Sequence, residues 1–491
     1  MKCQIPEISW HNREPVLSVD IQHNSEDGVV RLATAGSDTH VVIWKLSIDE
    51  NGIIKVDFLA DLTRHQKSVN VVRFSPSGEF LASGDDEAAL LIWSKKMEKD
   101  APDLFQKDDD VQNIENWQIL KILRGHVEDI FDLSWSPDSA FLASGSVDNS
   151  AIIWDVQKGS KTSILSEHKG FVQGVAWDPK GQYLGTLSSD RNLRIYNLQT
   201  KKVVSRVTKA SLPLPTSKDE TQSDVQVRLF YDDTLQSFCR RLCFTPDGEL
   251  LIAPAGLLEL PYDKKEGEDE KSVKPKRINA TYVFSRQHLS RPALYLPCKE
   301  SYTVAVRCCP VFFQLRKKDI TKSVIGLPYR IVYAVATSTS VLLYDTEQLS
   351  PFAKVGNIHY TRLSDLTWSG DGRILIASST DGYCSVITFS DDEIGTPYRE
   401  ESQETLESGV GTTQESQSDF TQSTPHSAQT PISDIEPILS TQESAVVDLS
   451  DSPVPLMQSS QGCTTPSSKV GRRVQLVTLS SPKSKKKLIN E

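Results

Sequence analysis

His126 lies 22 residues before Asp148, and Trp154 follows six residues after that. His168, Asp190 and Tyr196 repeat both spacings, and His359 and Asp381 repeat the first. His65 stands 22 residues before Glu87, with Trp93 six further on, so glutamate takes the acidic place there. A histidine beside a carboxylate is the raw material of general acid–base catalysis and of metal binding. Four such pairs at repeated spacing argue for a different role. A catalytic centre gathers its groups at one point, whereas a repeated set belongs to a repeated structural unit. There a buried His, Asp and Trp satisfy one another's hydrogen bonds. The chain has no phosphate loop, GxSxG, HExxH or Cys/His zinc set. It is therefore expected to be no enzyme, with no catalytic, cofactor-binding or metal-binding residues.

The elements that position these residues are short strands. LATAGSDTHVVIW (32–44), LASGDDEAALLIW (81–93), LASGSVDNSAIIW (142–154) and LGTLSSDRNLRIY (184–196) each read as strand, polar turn, strand ending in an aromatic. LIASSTDGYCSVI (375–387) is the same unit with Ile last. Upstream of these units recurs another strand and turn: VVRFSPSGEF, DLSWSPDSAF, GVAWDPKGQY, RLCFTPDGEL, DLTWSGDGRI. This is the WD-repeat pattern, and the expected fold is all-β, a seven-bladed propeller over residues 1–394. Trp44, Trp93, Trp154 and Tyr196 mark the first four blades. The fifth is split by a charged insertion, 257–278, containing DKKEGEDEKSVKPKR, and the sixth is degenerate. The seventh runs from His359 to Phe389, and EISW at 7–10 is expected to supply its outer strand and close the ring.

Composition bounds the rest. A net charge of −11 argues against a uniformly basic nucleic-acid binder. No apolar run is long enough to span a membrane, and MKCQIPEISWHN lacks the apolar core of a signal peptide. The eight cysteines form no CxxC pair and read as reduced thiols of an intracellular protein. After residue 395 aromatic residues nearly vanish, and Ser, Thr, Gln, Glu and Pro dominate. Residues 395–491 are expected to be a disordered tail.

Longer runs narrow the class. EISWHNREPVLSVDIQ, SFCRRLCFTPDGELLIAPAG, TVAVRCCPVFF and DLTWSGDGRILIASSTDGYCSVITF resemble the family of the WD-repeat middle subunit of chromatin assembly factor one. The resemblance spans residues 1 to 390. It implies a non-enzymatic nuclear subunit of a histone chaperone complex that deposits histones H3–H4 on newly replicated or repaired DNA. Implied partners are the large and small subunits of that factor and, directly or through them, histones H3–H4. Neither membrane binding nor sequence-specific nucleic-acid binding is implied. A WD-repeat substrate receptor of a cullin–ring ubiquitin ligase is the alternative. Such receptors carry W-D-x-R at blade ends, whereas here Trp154–Asp155 is followed by Gln157.

The tail carries the remaining signals. RRVQLVTLS (472–480) resembles the segment by which related histone-regulator WD proteins dock on the anti-silencing-function histone chaperone. By that resemblance residues 472–479 add a strand to the chaperone. Val474 and Leu476 would enter pockets, Leu479 would anchor the end, and Arg472 and Arg473 would pair with carboxylates. Lys483, Lys485, Lys486 and Lys487, in the basic segment 481–488, resemble a nuclear import signal. Thr424, Thr430, Ser452, Thr465 and Ser481 precede prolines and are candidate phosphorylation sites. Phosphate at Ser481 would place negative charge beside both tail signals. VVDLSDSP (446–453) has a weaker likeness to a segment that binds ubiquitin-like modifiers and is read as a plain apolar stretch.

Overall fold

β-Branched runs bounded by polar turns pair with their sequence neighbours, because short hairpins close at small entropic cost. The computed structural model describes residues 1–49, 52–96, 113–213, 224–260, 276–316, 325–390 and 393–399. Among the described residues, seven four-stranded antiparallel sheets and one two-stranded sheet form. The seven are the blades of a propeller. Each inner strand touches the inner strands of both neighbours, and that of blade seven (Leu363–Trp368) touches that of blade one (Val16–Ile21). The core is the set of apolar layers between adjacent blades.

Six inner strands share one irregularity. Their register shifts between Val16 and Ser18, Val69 and Val71, Ile130 and Asp132, Val172 and Gly174, Thr303 and Ala305, and Leu363 and Asp365. A bulge at this point twists the strand where the ring is narrowest and takes one residue out of the ladder. The inner strand of blade five is reduced to Cys243–Phe244 and has no such shift.

Ring closure departs from the sequence reading. The outer strand of blade seven is Lys2–Gln4, paired with Cys384–Thr388, and not EISW at 7–10. Trp10 is buried instead, its ring 5.2 Å from that of Trp44. Its bulk suits an interblade core, whereas the alternating KCQ suits an edge strand.

Two further boundaries move. In blade five the paired strands continue through Leu250–Leu260 and Lys276–Ser285, so both ends of the expected 257–278 insertion are strand. A hairpin of Lys209–Pro213 and Asp224–Arg228, not foreseen in the sequence, packs beside them through Ala210, Leu212 and Val227. At the other end, Thr396–Tyr398 runs against Phe312–Gln314: Gln314 N–H donates to the Thr396 carbonyl (2.8 Å) and Tyr398 N–H to that of Phe312 (2.8 Å). The aromatic rings of Phe312, Tyr329 and Tyr398 pack there at tilted angles, with centroids 4.6 and 5.5 Å apart. This pairing carries the described structure past residue 395, where the tail was expected to begin.

Deleting residues 1–5 tests the closure. The amides of Val386 and Thr388 are expected to lose hydrogen-exchange protection while blade three keeps its own. Unchanged protection at blade seven would place its outer strand elsewhere.

Candidate functional site

The His–Asp pairs meet as structural networks, one in each blade that carries a pair. In blade three the second strand (Phe141–Ser146) supplies Ser144 and the third (Ala151–Asp155) supplies Trp154. His126 sits on the crossover entering the blade. Its Nδ1 is 2.8 Å from Asp148 Oδ2, its Nε2 is 2.7 Å from Ser144 Oγ, and Trp154 Nε1 is 2.8 Å from the same oxygen. One proton arrangement satisfies every group. The indole donates to the serine oxygen, the serine hydroxyl to Nε2, and Nδ1–H to the carboxylate. The histidine is thus used up on both nitrogens, and its side chain is fully buried. Blade one repeats the arrangement with His11, Thr34, Asp38 and Trp44. In blade four His168 bonds Thr186 and Asp190, while the Tyr196 hydroxyl turns to Glu167. Blade seven has Ala377 at the serine place, and Ser385 from the next strand replaces it at 2.8 Å from His359 Nε2, with Asp381 on Nδ1.

Blade two corrects the sequence reading. His65 Nδ1 lies 2.6 Å from Asp85 Oδ2, and Ser83 joins His65 to Trp93. Glu87 is exposed and takes no part through its side chain; its backbone N–H donates to Asp85. A longer glutamate two residues further round the turn is replaced by an aspartate at the strand end.

The networks leave an electrostatic signature. Burial pushes Asp148 up, but the bonds from His126 and Ser150 outweigh it and hold the carboxyl well below its usual range. Asp38, Asp85, Asp190 and Asp381 are likewise raised by burial and lowered further by their histidines. Burial holds His168 below its ordinary value.

A second cluster fills the axial channel. Arg240 and Arg241 stand before the short inner strand of blade five, and both are fully buried. Arg241 reaches across the ring: its Nη atoms donate to the carbonyls of Leu17 (3.2 Å), Ser364 (2.8 Å) and Asn70 (2.8 Å). These are the residues that the bulges of blades one, seven and two push out of the ladder. Backbone N–H groups serve two more: Arg240 donates to Gln173 O (3.0 Å) in blade four and Arg241 to Val304 O (2.9 Å) in blade six. Gly174 makes room for this, since a Cβ there would collide with the Arg240 carbonyl. Asp365 lies 3.1 Å from Arg241 and 2.7 Å from Arg73, with Asp132 3.5 Å from both. Burial raises Asp365, but Arg241, Arg73 and Arg307 outweigh it, so it stays ionised. Burial pulls Arg240 down to about 10, which leaves it charged at neutral pH.

Among the described residues no group of three His, Cys, Asp or Glu could hold a metal ion. The seven described cysteines are free thiols. Sequence reasoning missed His11, Asp85, the bridging Ser and Thr residues and the channel arginines. Four of the bridging hydroxyls were findable: each stands four residues before the expected acid, as Thr34, Ser83, Ser144 and Thr186 do. The chaperone-binding candidates (Arg472, Arg473, Val474, Leu476, Leu479), the lysines of 481–488 and the five phosphorylation candidates lie outside the described residues.

A closed ring of seven blades, five of them tied by a His–Asp pair, around an arginine-filled channel is a WD-repeat propeller. Residues 1–394 match the family described as the CAF1B/HIR1 beta-propeller domain, and the chain belongs to that family. It is 51% identical over 413 residues to the B subunit of chromatin assembly factor 1 of Gallus gallus, covering 82% of this chain and 70% of the relative. The Mus musculus protein of that name is 50% identical over 410 residues, covering 82% and 69%. The chromatin assembly factor 1 subunit FAS2 homolog of Oryza sativa subsp. japonica is 40% identical over 414, covering 82% and 76%.

Asp85→Ala is expected to cost about 2 kcal/mol in chemical denaturation by stranding the buried His65, and Glu87→Ala less than about 0.5 kcal/mol; the reverse order would restore the glutamate reading. Arg241→Met is expected to cost about 3–5 kcal/mol, because Asp365 and several carbonyls lose their donor. A fall below about 1 kcal/mol would show the channel to be hydrated and tolerant. The network aspartates have folded pKa values below their unfolded ones. Their contribution is therefore complete above the unfolded value near about 4 and is lost as pH falls through the folded values. Melting temperature should drop steeply below about pH 4, less so in Asp148→Ala.

Proposed function

We propose that the chain is a non-enzymatic subunit of a nuclear histone chaperone complex that deposits histones H3–H4 on newly replicated or repaired DNA. The observation that carries this reading is family membership across the whole propeller, with relatives named as chromatin assembly factor 1 subunits. The geometry supports a binding role: the polar machinery is consumed inside the blades and channel, which leaves faces, loops and tail for partners. The propeller, residues 1–394, holds the large subunit, and the complex includes the small one. The tail, residues 395–491, receives the anti-silencing-function chaperone. RRVQLVTLS is an alternating segment of the kind that adds to an exposed sheet edge, and the sheet it joins is the chaperone's. Arg472 and Arg473 supply charge, Val474, Leu476 and Leu479 the apolar anchors. Lys483, Lys485, Lys486 and Lys487 direct nuclear import, and phosphorylation at Ser481 weakens the chaperone contact.

Affinity purification of the full chain from nuclear extract tests the reading. A large subunit and histones are expected to co-purify; cullin–ring ligase components in their place would overturn it. Arg472→Ala, Arg473→Ala and Leu476→Ala together are expected to abolish chaperone capture without lowering the melting temperature. Undiminished capture would remove the tail from the account.

A further inference from the structure

The hairpin beside blade five gathers positive charge. Its second strand runs on through residues 229–231, which pair with residues 255–257 of blade five. Lys209 and Arg228 face each other directly across the hairpin. Like charges in that position repel. Arg206, on the outer strand of blade four (Val203–Val207), stands opposite Arg194. Asp190 neutralises Arg194 at 3.2 Å, whereas Arg206 donates from Nε to the neutral Asn192 side chain (2.9 Å). The Thr208 hydroxyl donates to the same Asn192 oxygen at 2.5 Å, which joins the outer strand of blade four to the foot of the hairpin.

Arg191 and Arg277 border this surface. Arg191 pairs with Asp232, and Arg277 with Glu259 at 3.2 Å. Burial first, then Arg228 and Arg277, pull Arg191 below its ordinary value, with Glu259 and Asp233 opposing them. The Arg191 Nη1 atom is buried and makes no hydrogen bond among the described residues. Arg206, Lys209 and Arg228 are exposed and form no ion pair among the described residues. Five cations thus meet three carboxylates, Asp232, Asp233 and Glu259, among the described side chains. Cations that repel one another are relieved by an anion from outside.

The chain itself carries a matching anion. Residues 400–468 hold eleven Asp and Glu and neither Lys nor Arg, and all eleven acids lie within 400–451. That segment follows directly on the pairing that fixes Tyr398 to blade six, the neighbour of blade five. A flexible chain of about 50 residues spans about 40 Å, against a radius of gyration of about 20 Å for a domain of this size. Its carboxylates therefore reach the hairpin. We propose that the acidic segment 400–451 docks on the basic surface formed by Arg191, Arg206, Lys209, Arg228 and Arg277. Carboxylates lie between Lys209 and Arg228 and give the Arg191 Nη1 an acceptor. Charge complementarity within one chain carries this inference, which does not depend on the function proposed above. Phosphate at Thr424 or Thr430 adds charge to the same segment and tightens the contact.

The test is zero-length carbodiimide cross-linking of the full chain, read by peptide mass spectrometry. An amide between Lys209 and a carboxylate of 400–451 is expected. Its yield should exceed by about fivefold that at Lys161, an exposed lysine on the outer strand of blade three (Ser160–Leu165), and should fall in high salt. Arg206→Gln with Arg228→Gln should lower the Lys209 yield by about threefold at unchanged melting temperature. The absence of that amide, equal yields at Lys209 and Lys161, or an unchanged yield in the variant would overturn the proposal. A yield that rises with protein concentration would assign the segment to a second copy and overturn it as well. So would a labelled DNA duplex bound equally tightly by the full chain and by a chain with the eleven acids changed to Asn and Gln, because a docked segment must compete with it.

Discussion

Six inner strands bulge where they approach the axis, and five of the bulged residues turn a carbonyl toward the channel, out of the ladder. Buried carbonyls need donors. Blade five supplies them by giving up its own bulge and most of its inner strand. In that space Arg240 and Arg241 serve the carbonyls of five other blades, two through backbone N–H groups and three through one guanidinium. A planar group with five donors is the side chain suited to this, and lysine could not replace it. The charge that comes with it needs counterions, which Asp365 and Asp132 provide. Once that centre is set, the blades share a common hub as well as apolar walls.

Outside the hub, each blade with a His–Asp pair is tied at its crossover face, and the tie tolerates variation as long as every donor finds an acceptor. Blade two moves its acid to Asp85, and blade seven moves its hydroxyl to Ser385. The same logic accounts for how the polar groups of the networks and the channel are satisfied. The network histidines have both nitrogens engaged, and the channel arginines are buried against carbonyls and carboxylates. What remains free is surface: the crossover face, the hairpin beside blade five and the outer edges.

The blade count is legible in the sequence because every blade repeats a local pattern, and local patterns fold locally. The His–Asp spacing is legible for the same reason at His126, His168 and His359. It misleads at His65, where a spacing of 22 residues selects Glu87 although the strand end already offers Asp85. His11 escapes notice because 27 residues, not 22, separate it from Asp38. The closing strand is misplaced by the same kind of error: EISW looks like a strand, but Trp10 is worth more in a core than on an edge. The arginine pair stands out in the sequence only as part of a family resemblance. Its role depends on seven blades converging, and no local periodicity reports that. The second hairpin (Lys209–Pro213 with Asp224–Arg228) is short and polar enough to read as loop.

The central claim is that this propeller and its tail serve histone deposition. The most direct measurement is nucleosome assembly on a replicating plasmid in nuclear extract depleted of the chain. The account predicts that assembly falls on depletion and returns with the full chain, but not with residues 1–399 alone. Assembly that is indifferent to depletion, or fully restored by the propeller without its tail, would contradict it.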